Sequence, residues 1–95
     1  MKTLFDKLET DDAKVKYEKD HPWIWREFEA IALGFIKRGI THYGAKAIFE
    51  IMRFHKFQAT GEVPKLNNNM TKFYAQKFHR QHPMYDGFFE IRGEG

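Results

Sequence analysis

Apolar residues recur along this chain at helical spacing and, near its end, at strand spacing. Ile24, Phe28, Ile31 and Phe35 form a stripe widened by Ala32 and Ile36, the pattern of one buried helix face. Asp20 is a candidate N-cap, and Pro22 suits a first turn, where its missing N–H is not needed. Lys37 and Arg38 fit the negative C-terminal end of the helix dipole, and Gly39 can take the left-handed position after it. The pattern predicts a helix over 22–38. A second stripe of Ala45, Ile48, Phe49 and Met52 predicts a helix over 45–57, with Lys46, Glu50 and Arg53 on its polar side and Lys46–Glu50 spaced as an ion pair. Met70, Tyr74 and Phe78 predict another over 70–82, ended by Pro83.

The remaining segments are shorter. Leu4, Phe5, Leu8 and Val15 give a thin stripe over 3–19, a helical arm in which Thr10-Asp11-Asp12 either breaks the helix or caps a second one. Phe88 and Glu90 alternate with Phe89 and Ile91, which reads as a half-buried strand over 88–92. Its expected partner is 63–67, where Pro64 restricts pairing to an edge; the connector Ile40–Gly44 is the other extended candidate. Asp86-Gly87 supplies a turn. The order α–α–α–β–α–β defines a mainly α (α+β) fold: a compact helical domain with a minimal two-stranded sheet, similar to a winged helix-turn-helix. Residues 1–20 form an N-terminal helical arm and 21–95 the winged-helix-like domain.

Ninety-five residues make one small domain, and the ten phenylalanines help so short a chain build a core. Charged residues make up 31%, and no apolar run approaches the roughly 18 residues of a membrane span. The N-terminus has no signal-peptide pattern. With no cysteine there are no disulfides, thiolate metal sites or thiol nucleophiles, which suits the cytoplasm of a bacterial host. There is no serine either, and no phosphate-binding loop or paired-carboxylate motif, so the chain reads as a non-enzyme without cofactors. His79 and His82 have a spacing that can serve one metal, but no carboxylate accompanies them in their helix, and no metal site is expected.

Charge changes the picture through its distribution. The net charge is +3, yet residues 1–20 carry five lysines against six acids, whereas 40–82 carry seven basic side chains against two acids. Such asymmetry favours an anionic partner. The stretch KLNNNMTKFYAQKFHRQHP, residues 65–83, concentrates the means to bind one. Asn69 is placed to cap the helix that follows, which one asparagine suffices to do. Lys65, Lys72, Lys77 and Arg80 are candidate phosphate contacts; Asn67, Asn68, Asn69, Thr71 and Gln76 are candidate hydrogen-bonding groups for backbone or bases. An apolar back and a polar, cationic front are what a helix in a DNA groove needs.

The blocks HYGAKAIFE, KLNNN and GFFEIR, within residues 21–92, resemble a family of small phage and prophage proteins. The resemblance implies a phage or prophage setting and no catalytic residues. The expected function is that of a small phage-type nucleic-acid-binding protein, acting non-catalytically as a regulator on double-stranded DNA, as monomer or homodimer. The competing expectation is a protein-binding module that inhibits or redirects a host enzyme. Its motive is Trp23 and Trp25, which point about 200° apart on one helix. One of them is then exposed, or covered by residues 3–19 or by a second subunit, with cover by the arm the favoured outcome.

Overall fold

The computed structural model describes residues 11–90, in which four α-helices surround one aromatic core. They are α1 (Asp11–Asp20), α2 (Pro22–Lys37), α3 (Ala45–Thr60) and α4 (Thr71–Gln81), with 3-10 turns at Asn68–Met70 and Pro83–Tyr85. The expected arm over 3–19 is thus described only from Asp11 onward; its first part, with Leu4, Phe5 and Leu8, lies outside the described residues. Asp20 does not cap α2. It ends α1, bonded to Lys16, and His21 takes the N-cap place with Pro22 at the first helical position.

The apolar stripes bury as their spacing requires. Ile24, Phe28 and Ala32 of α2, Ile48, Phe49 and Met52 of α3, and Tyr74, Ala75 and Phe78 of α4 have essentially no exposure. Phe28 stands where these helices meet. Its ring centroid lies 6.0 Å from Phe49, 5.8 Å from Tyr74 and 5.1 Å from Phe89. Burying one such side chain contributes about 1.5–3 kcal/mol, and favourable ring pairs add about 0.5–1.5 kcal/mol. No polar or charged residue is fully buried among the described residues.

The end of the described chain closes this core differently from expectation. Of the expected strand over 88–92, Ile91 and Arg92 lie outside the described residues; Phe88 and Phe89 are buried, and 63–67 is not their partner. Phe89 forms a single parallel bridge with Tyr43 of the α2–α3 connector, and the Tyr43 N–H donates to the Phe88 carbonyl at 3.0 Å. Among the described residues no sheet forms. The physical reason lies in the aromatic pair: Phe78 approaches Phe88 at 6.0 Å and Phe89 at 5.4 Å, so both neighbouring side chains are drawn inward and the alternation of a half-buried strand is lost. Leu66, the buried residue of 63–67, docks under Arg53 instead.

Gly39 ends α2 as the sequence suggests, whereas α3 runs three residues past the expected 57 and stops only at Gly61. Gly39 follows α2 with φ +91° and Gly61 follows α3 with φ +79°, a region that disfavours side chains. Gly34 is different. It lies in the last turn of α2 with ordinary helical φ, and a Cβ placed on it would meet nothing within 4 Å. Glycine there lowers helix stability by about 0.5–1 kcal/mol relative to alanine. Gly34→Ala is therefore expected to raise unfolding free energy by that amount in urea titrations.

His79 ties the terminal segment to α4. Its Nε2 accepts the Phe89 N–H at 3.1 Å, while Nδ1 faces Asp86 at 3.6 Å. Burial pushes this imidazole below its ordinary 6.5, against a smaller opposing pull from Asp86. The unfolded chain thus takes up the proton at a higher pH than the folded one. Stability from this contact is complete above about pH 6.5 and is lost as pH falls through the lower folded value. Unfolding midpoints measured between pH 7 and 5 are expected to fall less steeply for His79→Gln than for the unaltered chain.

Candidate nucleic-acid interface

The asparagine triplet divides its tasks. Asn67 is the cap: its side-chain oxygen accepts the Asn69 N–H at 2.9 Å and starts the 3-10 turn that runs into α4. Asn69, expected as the cap, instead donates its backbone to that bond, and its side chain is exposed. Entry through a 3-10 turn moves the cap two residues upstream, because the turn closes before the α-helix begins. The side-chain oxygen of Asn68 accepts from the Arg53 guanidinium at 2.9 Å, and the Thr71 hydroxyl donates to the Asn68 carbonyl at 3.0 Å. Asn67, Asn68 and Thr71 therefore build the loop.

Arg53, read from the sequence only as part of a polar stripe, has a larger structural role. It reaches from α3 to the Leu66 carbonyl and to Asn68, and pairs with Glu50 three residues earlier on its own helix. Glu50 thus pairs with Arg53 instead of Lys46. Only 19% of the Arg53 side chain is exposed, against 67% for Glu50. The signal available in the sequence was an arginine one helical turn after a glutamate. Nothing local reveals that its fork also captures a loop thirteen positions downstream. From the other side, burial raises the phenol of Tyr17, which meets the backbone of Asn67 and the charge of Arg53, so α1 packs on the same loop.

On α4 the cations separate. Lys77 lies beside the buried face, paired with Glu18 of α1 and placed 4.6 Å from the Trp25 ring centroid. It serves as the clasp between α1, α2 and α4. Lys72, Gln76 and Arg80 follow one another at four-residue spacing on the side away from Tyr74 and Phe78. Gln76 and Arg80 are exposed and Lys72 is partly exposed. Lys65 and Asn69 are exposed in the approach to the helix. Among the described residues, no carboxylate pairs with Lys65, Lys72 or Arg80. The structure brings Lys72, Gln76 and Arg80 onto one face, and sets Lys77 apart from it.

Neither His79 of α4 nor His82, which follows it, is arranged for a metal. His79 is engaged with Phe89, and His82 Nε2 meets Glu29 of α2 at 2.7 Å. No group of three or more His, Cys, Asp or Glu that could hold a metal occurs among the described residues. Both tryptophans are partly covered: Trp25 stacks on Phe28 and Tyr74, each at 6.1 Å, and Trp23 lies under the Lys56 ammonium at 4.4 Å from its ring centroid.

Compared with protein-family models, with curated proteins and with solved structures, the chain matches none. No helix of the described residues is long and apolar enough to cross a membrane.

The clasp and the outward stripe make different demands. Lys77→Ala loses a part-buried ion pair and a cation–π contact, and is expected to cost about 1–2 kcal/mol of stability, read by thermal or urea unfolding. Lys72→Ala, without either contact, is expected to change stability by less than about 0.5 kcal/mol in the same measurement.

Proposed function

We propose that this chain is a small, non-catalytic nucleic-acid-binding protein of phage or prophage type, which lays the outward face of α4 against double-stranded DNA. The observation that carries the reading is the stripe Lys72–Gln76–Arg80, backed by Tyr74 and Phe78 and without acidic partners among the described residues. Lys65, Lys72 and Arg80 contact phosphates; Asn69 adds an amide at the start of the helix; Gln76, at the centre of the stripe, faces base edges. Asn67, Asn68, Thr71 and Lys77 contribute by holding α4 in place. Eleven residues at about 1.5 Å each make α4 about 16 Å long, enough to span a major groove about 12 Å wide.

In this reading α3 and α4 occupy the two places of a winged helix-turn-helix, with α4 as recognition helix and the segment from Phe88 in the place of a wing. The protein acts in the cytoplasm of a bacterial host, as a monomer on one site or a homodimer on two, and regulates without chemistry. Each phosphate-bound cation contributes about 0.9 to the slope of log affinity against log salt.

Binding of a fluorescent duplex at several salt concentrations tests this directly. Lys72→Ala with Arg80→Ala is expected to flatten the slope by about 1.8 and to weaken binding similarly across sequences, with melting temperature unchanged. Gln76→Ala is expected to alter sequence preference while leaving the slope as it was. A chain that shows no salt-dependent affinity for duplex DNA overturns the proposal and favours the protein-binding alternative.

A further inference from the structure

A second surface lies between α2 and α3, and the stripe on α4 does not use it. Gly34, Phe35 and Ile51 are among the residues that line it, and the groove has a volume of about 440 Å³. At helical spacing, Ile51 and His55 stand about 200° from Arg53 on α3, so the groove opens on the flank turned away from the asparagine loop. Phe54, 58% exposed, adjoins it through its ring contact with His55. An exposed phenylalanine beside a partly covered phenylalanine and isoleucine makes an apolar strip, the usual mark of a docking site.

Two features say what kind of partner fits. The first is Gly34, where the fold leaves room for a side chain and gains helix stability from one, yet carries none. An open notch on a helix lets another helix approach closely or receive a large side chain. The second is charge. Lys37 and Arg38 line the groove at one end and His55 lies along it, while no acid of the described residues contributes to its lining. A second copy of this chain would bring the same cations against them, which disfavours a symmetric self-contact. An apolar ridge flanked by carboxylates is complementary to both features.

We propose that the α2–α3 groove docks an acidic amphipathic helix of a partner protein, with an apolar side chain of that helix seated over Gly34 and its carboxylates beside Lys37 and Arg38. This surface is independent of the α4 stripe, so one chain can hold nucleic acid and an acidic protein segment together.

The test uses the full chain and a labelled eighteen-residue helical peptide with leucine and phenylalanine on one face and glutamate on the other, followed by fluorescence anisotropy. A control peptide replaces every glutamate with lysine. The acidic peptide is expected to bind at least tenfold more tightly than the control. Gly34→Leu, which fills the notch with a helix-favouring side chain, and Arg38→Glu, which reverses the rim charge, are each expected to weaken it at least tenfold. Both variants should retain their circular dichroism spectra, and duplex DNA should not displace the peptide. Equal affinity for the two peptides, or unchanged binding by both variants, overturns the proposal. So does displacement by DNA, which would assign the groove to nucleic acid, and so does a dimer of the unaltered chain that Gly34→Leu abolishes, which would assign it to a second copy.

Discussion

The position of Phe28 is the constraint on which the rest of the molecule depends. Its ring touches α3 through Phe49, α4 through Tyr74 and the terminal segment through Phe89. α4, with eleven residues, falls below the roughly 12–15 at which an isolated helix is marginal in water, and Phe88 and Phe89 lie outside any helix. They gain their order from a shared aromatic centre. With no buried ion or polar residue to fix register among the described residues, the shapes of the rings do so. That explains why a chain of this size uses so many phenylalanines.

Around this centre the cations divide into those that hold the fold and those without a carboxylate partner among the described residues. Arg53 fastens the asparagine loop, Lys77 fastens α1, and Lys56 covers Trp23. Lys72 and Arg80, on the same short helix as Lys77, do neither. The distinction follows from angular position: Lys77 stands about 60° from Tyr74, flanks the buried face and meets α1, whereas Lys72 and Arg80 stand about 160° and 120° from Tyr74. A net count of positive charge over 40–82 does not see this division, yet it decides which side chains stay exposed.

Much of the helical frame was legible, and the reasons are physical. Stripes such as Ile24–Phe28–Ala32 and Tyr74–Phe78 repeat at nearly 3.6 residues, so helix and buried face are read together. Pro22 and Gly39 mark boundaries because their backbone limits are intrinsic. Legibility failed where a longer-range partner set the outcome. The FFEIR alternation suggested a strand beside 63–67, but Phe78 attracts both phenylalanines and Tyr43 supplies the backbone contact. Asn69 looked like a cap because a 3-10 entry cannot be told from an α-helical one by spacing. At the candidate interface, Lys72, Gln76 and Arg80 could be placed on one face from periodicity alone. That Lys77 belongs to Glu18, and Asn68 to Arg53, depended on contacts between segments far apart in sequence.

The contact between Phe28 and Phe89 joins the second helix to the last turn of the described chain. Helices α2 and α3 follow each other closely and can pair as soon as both exist, which is the local topology of fast folders. Their aromatic centre, however, stays open on one side until Phe88 and Phe89 have been synthesised. During translation the nascent chain therefore holds an unfinished apolar surface for the time needed to add about thirty further residues, at a rate of about 5–20 per second. For a few seconds it leaves open the surface that the finished molecule conceals.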